Sequence, residues 1–204
     1  PLQAVAATLR WSSDSGLSSS ALDASFLDQP LQAALSTDSQ GLLIELAARH
    51  SVAQLQRWPL LQQWPAQLAE GAADWQAQVR IGSTGSTLTV RSDLQGLALM
   101  LPGELGKTAE QSRQLLLQAN LQAQRQLWEL QLGDDQRARA QLDSRGLTAD
   151  LRVASGQPQL GDQPGLTLSA RLQQLDWDEW RDQFARLTRR ESGQALALPV
   201  REAS

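Results

Sequence analysis

Apolar residues recur at every second position in several segments of this chain, and this alternation constrains the fold more than any other feature. It is clearest in residues 128–132, 138–142, 147–153 and 166–172. A period of two is typical of strands that bury one face and expose the other. Clusters of turn-forming residues, such as Gly-Asp-Asp at 133–135, separate the segments. The C-terminal half is therefore predicted to form an antiparallel meander.

The N-terminal half shows the same alternation with more interruptions. Residues 42–46, 75–81 and 88–90 carry apolar side chains at alternate positions. The Gly-Ser-Thr-Gly sequence at 82–85 lies between the last two segments and is typical of a tight hairpin connection. We therefore expect strands on both sides of this turn.

Two segments break the alternation and are predicted to be helical. Residues 51–68 begin with a Ser-x-x-Gln capping box and are divided into short turns by two prolines. Residues 176–187 begin with Asp-x-x-Glu in the same spacing and place Trp177 and Trp180 on one helical face. The predicted fold is mainly β: an elongated, curved antiparallel sheet, shaped as a groove, with two short helical segments.

Composition excludes several classes of site. The 204-residue chain has no cysteine and a single histidine, so disulfides, thiolate nucleophiles and multi-histidine metal centres are excluded. The net charge of −4 gives no basic footprint for a nucleic-acid backbone. We therefore expect no metal, no cofactor and no nucleic-acid partner. No stretch approaches the roughly 18 apolar residues needed to span a bilayer.

Residue types that are catalytic or ligand-binding in other proteins are predicted to have structural roles in this chain. Gly103-Glu104-Leu105-Gly106-Lys107-Thr108 ends like a phosphate-binding loop, but Leu101 stands where that loop requires its first glycine. His50 is expected on the surface near a helix start. The carboxylates at 134–135 and 176–179 are expected in a turn and in the first turn of a helix. No catalytic residue is predicted.

The apolar positions are mostly Leu, Ala and Val, with only two Phe and one Met in the chain. A single curved sheet with a smooth aliphatic concave face uses this composition as well as a sandwich does. Such a face is large and exposed unless something occupies it, and an acyl chain would do so. The seven tryptophans leave a second interpretation open, a platform for a glycan.

Five segments carry a family resemblance. The central region of the YhdP family resembles residues 71–75, 88–97 and 101–107. The second range contains the motif Ser-Asp-Leu-x-Gly-Leu, and the third is the motif Leu-Pro-x-x-Leu-Gly-Lys. Residues 164–172 and 175–180 resemble a strand and short helix of the same family. These proteins are large, AsmA-like and TamB-related, and belong to the envelope of Gram-negative bacteria.

The resemblance implies a function and a location. Such proteins form a long β-groove, anchored in the inner membrane by an N-terminal helix, that extends through the periplasm and conducts phospholipids to the outer membrane. The chain would then be an internal, periplasmic segment whose anchor lies outside it. Its partners would be phospholipid acyl chains and, through the full-length protein, both membranes. The family brings no catalytic residues.

We treat residues 1–204 as a single groove segment, with a division into 1–110 and 111–204 as the alternative. Alternating apolar positions are predicted to line the lipid-carrying face, although the alternation does not say which strand face points inward. These positions are Leu42, Ile44, Val79, Ile81, Leu88, Val90, Leu130, Leu132, Leu151, Val153, Leu166 and Leu168. Two other functions stay open: a structural spacer or docking β-module without lipid, and a tryptophan-based glycan-binding module.

Overall fold

The computed structural model describes residues 2–13, 16–58, 61, 66–172 and 177–181. Strands dominate this part of the chain, so the prediction of a mainly β fold is confirmed. The strands are β1 (Leu2–Ala7), β2 (Arg10–Ser12), β3 (Gly16–Phe26), β4 (Gln29–Asp38), β5 (Gly41–Ser51), β6 (Ala69–Gly82), β7 (Gly85–Ser92), β8 (Leu97–Leu99), β9 (Leu115–Leu121), β10 (Arg125–Leu132), β11 (Gln136–Asp143), β12 (Gly146–Val153) and β13 (Gly165–Ala170).

All thirteen strands belong to one sheet. Their order follows the chain, β1-β3-β4-β5-β6-β7-β9-β10-β11-β12-β13, with β2 beside β3 and β8 beside β6. Among the described strands β1 and β13 lie at opposite ends and do not pair, so the sheet is open. Strands β7 and β9 pair from Ser86–Leu121 to Ser92–Leu115, on either side of residue 110. The division of the chain into domains stays a prediction.

The last pair of strands departs from the predicted meander. β13 runs parallel to β12, with Thr148 opposite Gly165 and Val153 opposite Ala170, so the antiparallel prediction is wrong at this pair. Residues 154–164 form a crossover that returns the chain to the starting end of β12, which a parallel pair requires. The crossover is attached to the sheet by the backbone N–H of Gln159, which donates to Oδ2 of Asp150 at 2.7 Å.

The two edges formed by the strand ends differ in their connections. From β4 to β12, at the edge that we call the short-turn edge, neighbouring strands are joined by two or three residues, and the predicted hairpin at 82–85 is confirmed there. At the opposite edge, the long-loop edge, two of the connections are much longer. The short-turn connections are residues 39–40, 83–84, 122–124 and 144–145, and the long ones at the other edge are residues 52–68 and 93–114.

Helical structure is brief. α1 (Val52–Leu55) begins with the predicted capping box: Ser51 Oγ accepts from the Gln54 backbone N–H, and the Gln54 side chain accepts from the Ser51 backbone N–H. A 3-10 turn at Ala66–Leu68 ends the same connection. Residues 177–181 are helical, whereas residue 176 and residues 182–187 of the second predicted helix lie outside the described residues. Within the described part, no helix is long and apolar enough to cross a membrane.

Candidate functional site

Two continuous apolar rows cross the sheet from β4 to β13. Residues directly opposite each other on neighbouring strands point to the same face, so the strand register assigns each side chain to a face. The first row is Leu35, Ile44, Val79, Leu88, Ala119, Trp128, Ala140, Ala149 and Leu166. The second row is Ala33, Leu46, Ala77, Val90, Leu117, Leu130, Ala138, Leu151 and Leu168. We call them the central rows.

The structure places every predicted lining residue on the face of the central rows, which we call the apolar face. Eight of these positions belong to the central rows themselves. Leu42 and Ile81 lie one row closer to the short-turn edge, and Leu132 and Val153 lie one row closer to the long-loop edge. Their contact with lipid stays a prediction.

The opposite face of the sheet is polar. Gln78 donates to Glu45 at 3.0 Å, and Arg139 and Glu129 form an ion pair at 3.0 Å. Asp150 also points to this face, because it alternates with Ala149 and Leu151. Since the 154–164 crossover bonds to Asp150, the crossover lies over the polar face and leaves the apolar face uncovered.

The side chains of the central rows show no second layer over them in the described part of the chain. Only the small residues Ala33, Ala77 and Ala119 are buried, while the Leu, Ile and Val side chains from β4 to β12 are half-buried. At β13, Leu166 and Leu168 are 63% and 64% exposed. In a sandwich, such side chains would be buried against a facing sheet. The described residues therefore form an open apolar face and not half of a filled core.

At β5 and β6 the long-loop edge of this face is covered. Val52 of α1 and Leu94, Leu97 and Leu99 of the 93–114 connection form a cluster with Ala69 and Ala73 of β6. At that end His50 and Ala73 are 1% and 6% exposed. At the short-turn edge of the same face, Ile81, Leu142 and Leu147 are 45%, 42% and 55% exposed. The apolar face is thus covered at its long-loop edge near β5 and β6, and open at its short-turn edge.

His50 is buried, so its expected place on the surface is wrong. The indole Nε1–H of Trp75 donates to its Nδ1 at 2.9 Å, which leaves Nε2 to donate to the carbonyl oxygen of Phe26 at 2.7 Å. The ring stacks on Trp75 and meets Phe26 edge-on. Both ring nitrogens are therefore satisfied, and the histidine joins β3, β5 and β6 without a free base for catalysis.

Lys107 is buried and does not present its ammonium group to a ligand. Its Nζ donates to the carbonyl oxygens of Leu94 at 2.8 Å, Thr108 at 3.0 Å and Leu97. Burial, followed by the nearby charge of Arg113, lowers the pKa of Lys107 from its ordinary value. The Gly-Lys sequence is thus part of a loop held by its own carbonyl groups, as the failed phosphate-loop spacing predicted.

Among the remaining polar groups of the described part of the chain, no group of three His, Cys, Asp or Glu residues could hold a metal ion. A polar cleft of about 620 Å³ lies beside the crossover, but the charges of Arg139 and Arg145 in it are paired with Glu129 and Asp143. This cleft therefore offers no concentrated charge of either sign.

The tryptophans do not gather on one exposed surface among the described residues. Trp75 and Trp128 lie on the apolar face, half-buried among aliphatic side chains. Trp11 is opposite Leu17 near one end of the sheet, and Trp177 follows β13 in the chain; they are 76% and 66% exposed. Trp64 lies outside the described residues. This arrangement does not favour the glycan platform.

Among the strands that sequence reasoning missed, β9 and β4 contribute much of the apolar face. β9 supplies Leu115, Leu117, Ala119 and Leu121. β4 supplies Leu31, Ala33 and Leu35. Alternation was present in both, but Leu116 interrupts it in β9, and in β4 Ala34 interrupts it shortly after the turn-forming Pro30.

The described residues thus define an open, one-layered sheet with one apolar and one polar face. The chain belongs to the YhdP family: the family model described as YhdP protein matches residues 1–204. The resemblance of residues 71–107 to this family is thereby confirmed. No curated protein and no solved structure matches the chain.

Proposed function

We propose that this chain is a non-enzymatic segment of a phospholipid conduit, located in the periplasm between the inner and outer membranes. Its apolar face would hold acyl chains, and the full-length protein would connect it to both membranes. The observation that carries the proposal is the pair of central rows, which cross the sheet from β4 to β13 with no polar residue between Leu35 and Leu168. Membership of the YhdP family supports the same function.

The energetic need for such a face is large. Exposing an acyl chain of ~16 carbons to water costs on the order of 12 kcal/mol, at about 0.8 kcal/mol per methylene. A face lined by Leu, Ile, Val and Ala removes most of that cost. Neighbouring strands are about 4.8 Å apart, so the central rows extend for roughly 40 Å between β4 and β13. That distance exceeds the width of a single phospholipid several times.

The apolar character of the rows favours movement as well as binding. A lipid that slides from strand to strand meets only apolar side chains, from alanines to Trp128, without a deep pocket or a charged group in its path. Successive positions therefore have similar free energies, and the barrier between them is small. A lining of specific hydrogen-bonding groups would instead hold a lipid at one position.

Native mass spectrometry of the purified chain, followed by organic extraction, tests the proposal. We expect phospholipid from the expressing cell that is released only on denaturation. Leu130→Asp should abolish this loading, because a charge among acyl chains costs about 2.5–3.5 kcal/mol, roughly a hundredfold in affinity. Gln131→Asp is the matched control, since this exposed neighbour lies on the polar face and should load normally.

Three outcomes would contradict the proposal. Lipid-free protein that also takes up no fluorescent phospholipid would favour a structural spacer. If circular dichroism shows that both variants are folded and the two load lipid equally, the apolar face is not the binding surface. Tryptophan fluorescence that responds to glycan and not to lipid would favour the glycan-binding module.

A further inference from the structure

One strand of the apolar face carries two neighbouring polar groups. Trp128 and Gln126 both lie on this face, because they are two positions apart in β10 and the side chains of a strand alternate between its faces. Trp128 belongs to a central row, and Gln126 lies one row closer to the short-turn edge. Their α-carbons are about 6.6 Å apart at roughly 3.3 Å per residue. One ligand can therefore contact both side chains.

Neither polar group is used within the described part of the chain. No described residue accepts a hydrogen bond from the indole Nε1–H of Trp128, and none bonds the side-chain amide of Gln126. Trp75 differs, because its indole Nε1–H donates to His50 at 2.9 Å. Trp128 and Gln126 are half-buried, and their polar atoms are not among the fully buried ones that lack a partner. Both groups are therefore open to the space above the apolar face.

Other polar residues of the face differ from this pair. Thr37 Oγ1 and Ser92 Oγ each donate to a backbone carbonyl oxygen. Ser86 and Gln136 have apolar residues directly opposite them on both neighbouring strands, and the next residue of their own strand on this face is apolar as well. Each of these two is therefore a single polar group, whereas β10 presents two side by side.

The neighbours of Trp128 leave its ring accessible. Ala119 and Ala140 lie directly opposite it on the two adjoining strands, and Ala149 lies opposite Ala140 on the next strand. A methyl side chain is much smaller than an indole ring, so these residues do not cover its rim. A ligand on the face can therefore approach the Nε1–H.

The apolar surroundings restrict which ligand group can use this donor. Leu117 and Leu130 form the adjoining part of the second central row. A charged phosphate placed among such side chains would lose its water at a high cost. A neutral carbonyl oxygen loses less, and the hydrogen bond compensates for the loss. In a phospholipid on this face, the carbonyl oxygens next to the acyl chains belong to the two ester groups.

We propose that Trp128 and Gln126 form a hydrogen-bonding site for the ester groups of a phospholipid. The indole Nε1–H of Trp128 donates to one ester carbonyl oxygen, and the side-chain amide of Gln126 donates to the other. The proposal rests on the proposed function and adds the chemical group that is recognised. Such contacts favour one position several-fold, and they do not stop movement along the rows.

Competition between two lipids that differ only at the ester groups tests the proposal. The chain is synthesised in a cell-free system with vesicles that contain equal amounts of an ester-linked phosphatidylethanolamine and its ether-linked analogue of the same chain length. Bound lipids are extracted from the purified chain and compared by mass spectrometry. We expect a several-fold preference for the ester lipid, because the ether lipid has no carbonyl oxygen to accept the hydrogen bonds.

Substitutions separate the hydrogen bond from the bulk of the ring. Trp128→Phe keeps an aromatic ring on the face and removes the donor, so the ratio of ester to ether lipid should fall close to unity. Gln126→Leu should lower the ratio by a smaller factor. Gln136→Leu is the matched control, because it removes an amide of the same face away from the pair and should keep the ratio of the unmodified chain.

The outcomes separate this inference from the function on which it rests. Equal binding of the two lipids by the unmodified chain overturns the ester contact and leaves the apolar face as a lipid-binding surface. An undiminished preference in Trp128→Phe, with the variant folded by circular dichroism, assigns the recognition to other residues and overturns the proposal as well. Binding of neither lipid overturns the proposed function and this inference with it.

The indole N–H protons give an independent readout in the NMR spectrum. The Trp128 resonance is identified by its loss in Trp128→Phe. A hydrogen bond to a carbonyl oxygen should move this resonance downfield with the ester lipid and not with the ether lipid. The Trp75 proton is already bonded to His50, so its resonance should have the same position with both lipids. Equal positions of the Trp128 resonance with the two lipids would overturn the proposed contact.

Discussion

The indole Nε1–H of Trp75 donates a 2.9 Å hydrogen bond to Nδ1 of His50, across the pairing of β5 with β6. The other ring nitrogen of His50 donates to the carbonyl oxygen of Phe26 at the end of β3. Because β4 lies between β3 and β5, the contact joins strands that do not pair with each other. It fixes the covered edge of the apolar face.

Replacing His50 with Ala should destabilise the protein by about 2–4 kcal/mol, because the change leaves the Trp75 donor and the Phe26 acceptor unpaired and opens a cavity. Trp75→Phe should cost less, since it removes only one of these bonds. Urea unfolding of both single variants and the double variant measures their coupling, expected at about 0.5–3 kcal/mol. If the two single substitutions change the free energy of unfolding additively, the hydrogen bond between His50 and Trp75 does not contribute to stability.

The crossover should loosen when its anchor on the sheet is removed. Asp150 is 1% exposed and accepts from the Arg152 Nε–H at 2.8 Å and from the Gln159 N–H at 2.7 Å. Asp150→Ala should cost about 1–3 kcal/mol and speed amide hydrogen exchange in residues 155–164. Asp134→Ala, at an exposed turn position, is the control and should change neither quantity.

Gly71 is expected to tolerate no side chain. Its φ is +94°, and a Cβ atom there would lie 2.2 Å from the carbonyl oxygen of Gly96. Gly71→Ala should therefore destabilise the protein by more than about 1 kcal/mol. Gly161→Ala is the matched control, because that position opens into free space within the described structure. Thermal unfolding compares the two, and equal midpoints would contradict the expected clash.

Acid should weaken the ion pair on the polar face between Asp38 and Arg80. The hydrogen bond from Arg80 lowers the pKa of Asp38 below its ordinary 3.8. A carboxyl whose pKa is lowered on folding stabilises the protein above the unfolded value and loses that contribution as the pH falls through the folded value. Asp38→Asn should therefore lose less stability than the unmodified chain between about pH 7 and about pH 3.

Urea midpoints at the two pH values measure this difference. Arg80→Gln should reduce it in the same direction, because the cation that lowers the pKa is then absent. An unchanged pH dependence in both variants would show that the pair contributes nothing to acid stability.

Alternation in the sequence predicted the shared face well, for a physical reason. Side chains repeat every two residues along a strand, and antiparallel partners face the same way. Hairpins with short turns preserve this relation from strand to strand. Residues as distant as Leu42 and Leu151 could therefore be assigned to one face before their register was known.

The alternation fails where the register shifts. In β3 the register shifts between Ser19 and Leu22. Leu17 and Ser19 lie on the apolar face before the shift, and Leu22, Ala24 and Phe26 lie on it after the shift. The extra residue moves the pattern from odd to even positions, so no continuous period of two is visible. This shift hid β3 from sequence reasoning.

Strand direction is a second property that alternation does not encode. A strand presents the same pattern in either direction, so β13 was predicted antiparallel to β12 and is parallel. The burial of His50 was missed because its partners, Phe26 and Trp75, lie 24 and 25 residues away in the chain. Only the sheet register brings them together.

The parallel step at β13 also decides where the chain leaves the sheet. Had β13 turned back directly from β12, its last residue would lie at the short-turn edge, and everything after Ala170 would emerge beside the open border of the apolar face. Because the crossover makes β13 run in the same direction as β12, Ala170 at the end of β13 lies opposite Val153, at the long-loop edge. α1, the 93–114 connection and the segment after β13 thus all depart from the same side of the sheet. The opposite side has only tight turns from β4 to β12, an unobstructed border along which ligands could pass from one strand to the next.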